Sequence, residues 1–223
     1  MPPSNVISKK TINFKTKDGV KIVGDFFDAK GKKSIILLHI LPGLRHDFDE
    51  FAKLLFGQGY NVLNIDERGH GESEAWPEEM GSWQEFTGSD YDRAIYDVEA
   101  AADWLKNIFR DTDLAVIGGS IGANLAMLFG AKYQPKVVVA ISPGINYKGI
   151  KTEIASRNFR NNLLIVASRD DNYSFESSER LLEMSVAAKK EFIKYEAAGH
   201  GTRMFNSEPE LKQRILDFLS KHL

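Results

Sequence analysis

The chain has 223 residues, of which 43% are hydrophobic and 27% are charged, and its formal net charge is −2 at pH 7. These values are typical of a soluble globular protein and give no basis for nucleic acid binding, which needs a concentrated basic surface. Cysteine is absent, which excludes disulfides, cysteine zinc sites and a cysteine nucleophile. With neither a signal peptide nor a run of roughly 18 apolar residues, we expect a cytoplasmic protein without a membrane span.

The first elements predict an antiparallel hairpin. Polar and apolar residues alternate over residues 11–15, and Val20, Ile22 and Phe26 continue the alternation after Asp18 and Gly19. Asp-Gly between alternating runs is a strong hairpin signal, because both central positions of such a turn favour positive φ.

Strands and helices then alternate along the rest of the chain. A continuous aliphatic run, such as the one at 34–38, is typical of a strand buried on both faces. Further strands are predicted at 60–65, 114–117, 136–141, 163–167 and 191–196. Helices are predicted over 48–55, 91–108, from 121 onward, over 176–188, and after a capping box formed by Ser207 and Glu210. This order predicts one α/β domain, 1–223, with a doubly wound, mostly parallel sheet of about eight strands, an antiparallel N-terminal hairpin and helices on both faces.

One glycine-rich segment between a predicted strand and a predicted helix carries the strongest chemical signal. It reads Gly118-Gly119-Ser120-Ile121-Gly122 and matches the Gly-x-Ser-x-Gly nucleophile elbow. On such a sharp turn, the residues that flank the serine cannot carry a side chain without a clash, which explains the glycines. The N-terminus of the following helix lies beneath the serine, where its N–H groups face a developing oxyanion. The segment predicts Ser120 as a nucleophile.

A serine hydroxyl needs a base, and the base needs a third group that fixes its tautomer. Of the five histidines, His200 lies in a loop after the last predicted strand, where doubly wound sheets collect functional groups. The acid is expected at another strand end, and Asp170 and Asp171 both follow the strand at 163–167. Acids on successive loop residues rarely face the same way, so we expect one of the two to reach His200.

Taken together, these residues resemble an α/β-hydrolase over nearly the whole chain. The order Ser120, aspartate, His200 is the order of that fold, and residues 66–73 are similar to the Asp-x-Arg-Gly-His-Gly-x-Ser turn of many members. The role of that turn in the family is largely structural, so His70 is not assigned to catalysis. In family members, the loop that carries the acid often has the sequence Gly-x-x-Asp, and residues 168–171 fit it with Ser168 in place of the glycine. The resemblance therefore favours Asp171, with Asp170 as the alternative acid.

The same resemblance implies an oxyanion hole with two backbone donors. Ile121 N–H, directly after the nucleophile, is one of them. The second comes from a His-Gly-x segment after the third strand, which here reads His39-Ile40-Leu41-Pro42. Matching position by position places this donor on Leu41, because Pro42 has no N–H. Ile40 stands where the family usually has glycine and must accept the backbone angles that the turn imposes.

Two segments are candidates for contacts with a substrate. Residues 142–162 lie where the family inserts cap domains, but their length predicts a loop or a short helix. The irregular stretch 74–90 contains Trp76, Trp83 and Phe86, which we expect either to wall an apolar pocket or to pack this stretch onto the domain. Because these two segments cover the site only slightly, we predict an accessible site and a substrate with a short-to-medium acyl group.

The predicted function is that of a carboxylesterase-type serine hydrolase that acts on a small-molecule ester and needs no cofactor or metal. A thioesterase or amidase would use the same triad, and a non-catalytic binding protein of the same fold is the alternative from a different class. The sequence carries no signal for a particular oligomeric state.

Overall fold

The computed structural model describes residues 9–73 and 81–223. The strands of this part are β1 (Lys9–Lys15), β2 (Lys21–Phe27), β3 (Lys33–Leu38), β4 (Asn61–Asp66), β5 (Asp113–Gly119), β6 (Val137–Ile141), β7 (Asn146–Tyr147), β8 (Ile150–Lys151), β9 (Asn162–Ser168) and β10 (Lys189–Tyr195). The α-helices are α1 (Asp49–Gly57), α2 (Gly88–Arg93), α3 (Ile95–Ile108), α4 (Ile121–Tyr133), α5 (Glu153–Asn158), α6 (Asn172–Met184), α7 (Met204–Ser207) and α8 (Leu211–His222). None of the described helices is long and apolar enough to cross a membrane.

Eight of these strands form one sheet in the order β1-β2-β4-β3-β5-β6-β9-β10. β2 pairs antiparallel with both β1 and β4, and every other pairing in the sheet is parallel. The predicted fold class, with its antiparallel start, is therefore confirmed. Because the remaining strands run in one direction, the loops after β3, β5, β9 and β10 meet at one edge of the sheet.

The sheet is buried on both faces, which explains its continuous aliphatic strands. Along β3, Ile36 and Leu38 pack into one core cluster with α3 and α4. Ile35 and Leu37 pack into a second cluster with α1 and α8. All four side chains are fully buried, and each contributes about 1.5–3 kcal/mol relative to an exposed position. This double burial fixes the strand ends that carry the candidate site.

The first hairpin is confirmed, but its turn differs from the prediction. Gly19 has φ 89°, whereas Asp18 is not among the described residues with positive φ. The connection is wider than two residues, since Thr16 N–H donates to Val20 O at 2.9 Å and Gly19 N–H donates to Thr16 O at 2.9 Å. The prediction that both Asp18 and Gly19 adopt positive φ was therefore wrong.

Three helix predictions also need correction. The helix predicted over 91–108 is interrupted at Ala94, where N–H groups bond to carbonyls three residues back rather than four. α6 begins at Asn172 rather than 176, because Asp171 O accepts the Phe175 N–H at 2.9 Å and starts the helix in a polar stretch. No capping box opens α8: its N-cap, Glu210, forms no side-chain cap bond, and Ser207 ends α7.

The segment between β6 and β9 is small, as predicted. It contains the two-stranded hairpin β7–β8 and the short helix α5. The hairpin turns at Lys148 and Gly149, with φ 53° and 96°. Strands of two residues are too short to show an alternating pattern, so the sequence did not predict them.

Candidate active site

Ser120 lies on the sharp turn that joins β5 to α4. Its backbone has φ 54° and ψ −116°, an unfavourable conformation for a residue with a side chain. A Cβ at Gly118 would overlap the Gly122 carbonyl, and a Cβ at Gly122 would lie 2.6 Å from Leu38 O. Gly118 is therefore required by the close approach of the start of α4, and Gly122 by the close approach of the end of β3.

The backbone around Ser120 is arranged to receive negative charge. Ser120 N–H donates to Ile141 O at 2.8 Å, while the N–H groups of Ala123 and Asn124 donate to Ser120 O at 3.0 and 3.2 Å. Ile121 N–H stands at the first position of α4, where an N–H has no acceptor within the helix. The partial positive charge of this helix end lies next to the serine side chain, which suits it to stabilise an oxyanion.

The structure brings Asp171 and His200 into contact. Asp171 Oδ2 lies 2.5 Å from His200 Nδ1, and the two side chains are 19% and 30% exposed. This bond assigns the ring proton to Nδ1 and leaves Nε2 as the basic nitrogen. A Cβ at Gly201 would lie 4.0 Å from Ser120 N, so the chain after His200 passes beside the elbow. No hydrogen bond joins the Ser120 hydroxyl to His200 here, and such bonds are often long until substrate binds.

The Asp170 carboxylate bonds to other groups than His200. Its Oδ1 accepts the Ser168 hydroxyl at 2.5 Å, and its carboxylate accepts Gly199 N–H at 3.2 Å. The bond from Ser168 holds the pKa of Asp170 below its usual value. Ser168 Oγ in turn accepts Ala198 N–H at 2.7 Å. Asp170 therefore anchors the loop that carries His200, and it is Asp171 that contacts the imidazole.

Ile40 occupies a space bounded by two glycines. Its Cγ2 atom lies 2.7 Å from the position of a Cβ on Gly119 and 2.6 Å from that of a Cβ on Gly201. Ile40 is 5% exposed, and Leu41 beside it is partly buried. The described non-glycine residues with positive φ are Lys30, Ser120, Gln134, Ser142 and Lys148. The turn thus imposes no left-handed conformation on Ile40, which explains why glycine is not needed there.

His39, at the end of β3, is fully buried and bonded through both ring nitrogens. Nδ1 lies 2.7 Å from Ile40 O, and Nε2 accepts Glu67 N–H at 3.1 Å. Burial lowers the pKa of His39 to about 3, and the nearby His70 adds to the shift. Burial raises the pKa of Glu67 well above its usual value. At neutral pH, His39 is therefore a neutral imidazole.

Trp83 and Phe86 lie over the turn at 66–73. Trp83 stacks on the His70 ring, with 5.6 Å between the ring centroids, and Phe86 meets Tyr91 edge-on at 5.5 Å. A Cβ at Gly69 would lie 2.9 Å from Trp83 N, so the segment passes very close to the turn. Trp76 lies outside the described residues. These contacts are those expected if the segment packs onto the domain.

The turn itself is held by ion pairs of two buried arginines, Arg68 and Arg45. Arg68 Nε donates to Asp97 Oδ1 at 2.9 Å, and Arg68 Nη1 donates to Asp18 Oδ2 at 2.8 Å. Burial raises the pKa of Asp97 to about 6, against the opposing effect of Arg68. Arg45 pairs with Asp66 at the start of the turn. The polar side chains of 66–73 thus account for its shape.

Tyr147 is a neighbour of His200 that the sequence did not predict. Its ring meets the His200 ring edge-on, with 6.2 Å between centroids, and meets Tyr173 at 5.5 Å. A Cβ at Gly144 would lie 2.8 Å from both tyrosine rings. Burial raises the pKa of Tyr147 to about 12, so it stays neutral. The hairpin β7–β8 positions this ring, and that hairpin has no sequence signal.

Among the described residues, Asp25, His46 and Asp49 bring possible metal-ligand atoms within 4.8 Å of one another. Asp25 Oδ2 is already bonded to Lys9 at 2.9 Å and lies 3.3 Å from Arg45 Nε. A metal ion there would face the Arg45 guanidinium, so this arrangement is better explained as an ion-pair network.

Comparison with known families settles the family. A sequence model described as Serine aminopeptidase, S33 matches residues 29–160. The chain belongs to this family. The matched part contains residues 39–42 and Ser120 and ends before Asp171 and His200.

Individual relatives agree with the S33 family match. The chain is 36% identical over 103 residues to the proline iminopeptidase of Thermoplasma volcanium, a match that covers 46% of this chain and 31% of that protein. Solved structures with a similar fold include an esterase of Pyrococcus furiosus (24% identity, 97% of this chain and 93% of that chain, TM-score 0.82). An acetyl xylan esterase from Paenibacillus sp. R4 (17% identity, 99% and 86%, TM-score 0.81) is similar as well. These structures share the α/β-hydrolase fold with this S33 family member.

Proposed function

We propose that this protein is a serine hydrolase that cleaves carboxylic esters through an acyl-enzyme. The observation that carries the proposal is the 2.5 Å bond between Asp171 and His200, on a loop that passes beside the Ser120 elbow. A nucleophile, a base and an orienting acid on three neighbouring loops form the arrangement that activates a serine hydroxyl.

In the proposed reaction, each group has a role. Ser120 Oγ attacks the carbonyl carbon of the ester while its proton passes to His200 Nε2. The carbonyl electrons move to oxygen, and the N–H groups of Ile121 and Leu41 stabilise the oxyanion. Collapse of this intermediate expels the alcohol, which takes the proton from His200. Water then attacks the acyl-enzyme by the same route, releases the acid and restores Ser120.

Two observations support an ester substrate with a short-to-medium acyl chain. The names of the Pyrococcus and Paenibacillus proteins with this fold denote esterases. The segment between β6 and β9 is a small hairpin and one short helix, which covers far less of the site than a cap domain would. An open site of this kind suits small esters better than long lipid chains.

Cleavage of an amide bond is the second candidate. The family is described as a serine aminopeptidase family, and the Thermoplasma relative is named a proline iminopeptidase. The same triad would serve, with an amine as the leaving group in place of an alcohol. Thioesters, with a thiolate leaving group, would also use it.

Turnover of matched substrates tests the proposal. The panel pairs p-nitrophenyl acetate, butyrate and octanoate with proline and alanine p-nitroanilides and an acyl thioester. We expect the acetate and butyrate to be hydrolysed fastest, and Ser120→Ala to lose roughly 10⁴-fold or more in kcat. Ser178→Ala, which removes another buried serine hydroxyl, is the matched control and should be unaffected.

A fluorophosphonate probe gives a second readout that needs no substrate. It should label the wild-type protein and the Ser178→Ala variant but not Ser120→Ala. Wild-type turnover in Ser120→Ala would refute the triad, and faster cleavage of the p-nitroanilides than of the esters would favour the peptidase. Absence of both turnover and labelling would indicate a binding protein.

A further inference from the structure

The side chain of His39 holds one particular peptide group. Its Nδ1 lies 2.7 Å from the carbonyl oxygen of Ile40, the residue that follows it. Its Nε2 accepts the backbone N–H of Glu67 at 3.1 Å. An N–H must donate to Nε2, so the proton of the neutral ring resides on Nδ1 and is donated to Ile40 O. The hydrogen bonds therefore define the tautomer as well as the ring orientation.

The carbonyl that His39 holds belongs to the same peptide group as Leu41 N–H. The one cis peptide bond among the described residues is Leu41–Pro42, so the bond between Ile40 and Leu41 is trans. In a trans peptide, the C=O and the N–H point in opposite directions within one plane. Fixing Ile40 O against the buried imidazole therefore directs Leu41 N–H away from it. Within the described chain, nothing accepts a hydrogen bond from Leu41 N–H.

This peptide lies against the nucleophile elbow. A Cβ at Gly122 would lie 2.5 Å from His39 O, which shows how closely the end of β3 approaches the start of α4. Ile40 Cγ2 lies 2.7 Å from the position of a Cβ on Gly119, directly before Ser120. The Ile40–Leu41 peptide is thus next to the serine, and its free N–H is on the side opposite the imidazole.

We infer that His39 is a positioning residue for the oxyanion hole: by donating from Nδ1 to Ile40 O, it orients Leu41 N–H toward the oxyanion that forms at Ser120. The inference rests on the proposed hydrolase function. His39 itself does not contact the substrate, and its ring is fully buried. Glu67 N–H and the edge-on His70 ring, with 4.7 Å between centroids, keep the imidazole in place.

A pair of conservative substitutions separates positioning from simple structural support. In His39→Asn, the amide nitrogen takes the place of Nδ1 and still donates to Ile40 O, but Glu67 N–H loses its acceptor. In His39→Gln, the amide oxygen takes the place of Nε2 and accepts Glu67 N–H, but the donor to Ile40 O is lost. His39→Asn loses both contacts of Nε2 with Glu67, the N–H at 3.1 Å and Oε2 at 3.3 Å, whereas His39→Gln loses only the bond to Ile40 O. A purely structural role therefore predicts that His39→Asn is impaired at least as much in kcat as His39→Gln.

Positioning predicts a difference between the two variants. We expect His39→Gln and His39→Phe to lose about 10²-fold in kcat on p-nitrophenyl butyrate with KM little changed, because the donor acts on the transition state. His39→Asn should retain at least about tenfold more kcat than His39→Gln. His46→Asn, a change at an exposed histidine of the same loop, is the matched control and should match the wild type. Equal kcat in the Asn and Gln variants would overturn the inference.

A measurement on the wild-type protein keeps the inference testable if a variant fails to fold. Butylboronic acid forms a tetrahedral adduct on an active serine, and ¹⁵N-leucine labelling follows Leu41 N–H, assigned with Leu41→Ile. We expect the Leu41 amide proton to move downfield in the adduct. An unmoved Leu41 signal with the boronate bound would overturn the inference and leave the hydrolase proposal intact. A wild-type protein without ester turnover or fluorophosphonate labelling would overturn both.

Discussion

Replacing Asp171 by asparagine tests the part of the site that depends most on one contact. Asp171 Oδ2 lies 2.5 Å from His200 Nδ1 and fixes the tautomer in which Nε2 is unprotonated. An asparagine that turns its N–H₂ toward Nδ1 would move the ring proton to Nε2, where the base must be free to accept the proton of Ser120. Loss of the correct tautomer lowers kcat by about 10⁴-fold, which corresponds to about 5 kcal/mol in the activation barrier.

The neighbouring acid provides the matched control. Asp170→Asn removes the same charge one residue away, but the Asn oxygen still accepts the bonds that Asp170 takes from Ser168 and Gly199. Steady-state hydrolysis of p-nitrophenyl acetate should therefore show a large fall in kcat for Asp171→Asn and little change for Asp170→Asn. Circular dichroism and thermal unfolding would verify that both variants are folded. A near-normal kcat in Asp171→Asn, with the loss in Asp170→Asn, would refute the assignment of the acid.

Three further predictions concern stability. Gly122→Ala should destabilise the fold by about 3 kcal/mol or more in urea unfolding, because its Cβ would lie 2.6 Å from Leu38 O. Gly57→Ala, in open space at the end of α1, is the control and should be neutral or stabilise by up to about 1 kcal/mol. Equal changes in the free energy of unfolding for the two alanine variants would contradict the close packing at Gly122. For His39, the pKa falls from 6.5 to about 3 on folding. The unfolded state then binds more protons at this residue between these values, so the His39 contribution to stability falls as pH falls, by up to about 1.4 kcal/mol per unit. The raised pKa values of Glu67 and Asp97 act in the opposite direction. The free energy of unfolding of the wild type minus that of His39→Asn, measured at pH 7.0, 5.5 and 4.5, should therefore fall as pH falls, and a constant difference would contradict the shift at His39. Trp83→Ala should lower the Tm, because the indole covers a buried imidazole; a changed ratio of butyrate to acetate turnover would instead place Trp83 in the pocket wall.

The sheet and the elbow could be predicted because their signals are local. Glycines at fixed positions around Ser120 report a close backbone approach, and continuous aliphatic runs report strands buried on both faces. The alternation of these runs with amphipathic helices was enough to predict strand direction. In each case, the residues that carry the signal are those that make the contact.

Other features depend on contacts between distant residues and left little trace in the sequence. The choice between Asp170 and Asp171 rests on Ser168 and Gly199, which bond to the first acid and leave the second for His200. The start of α6 at Asn172 follows a polar stretch that no apolar period marks. Residues of this kind are placed by the folded structure around them.

The packing of Ile40 could not be predicted from the chain's resemblance to α/β-hydrolases, because the family pattern usually has glycine at that position. A side chain at this position predicts that Ile40 must accept the backbone angles that the turn imposes. In the structure, its side chain fills a space that Gly119 and Gly201 leave open, and its backbone φ is ordinary. The consequence of the substitution is therefore one of packing, which depends on two residues far away in the chain.

The two outer strands of the sheet have a consequence for aggregation. Among residues 9–73 and 81–223, no strand pairs with the outer edge of β1 or β10, and such edges are templates for pairing between molecules. Exposed lysines lie along both, namely Lys9, Lys10 and Lys15 on β1 and Lys189, Lys190 and Lys194 on β10. Charged side chains on an edge strand oppose such pairing, because they lose contact with water when two edges join. The lysines on β1 and β10 therefore disfavour edge-to-edge association of separate copies of the sheet.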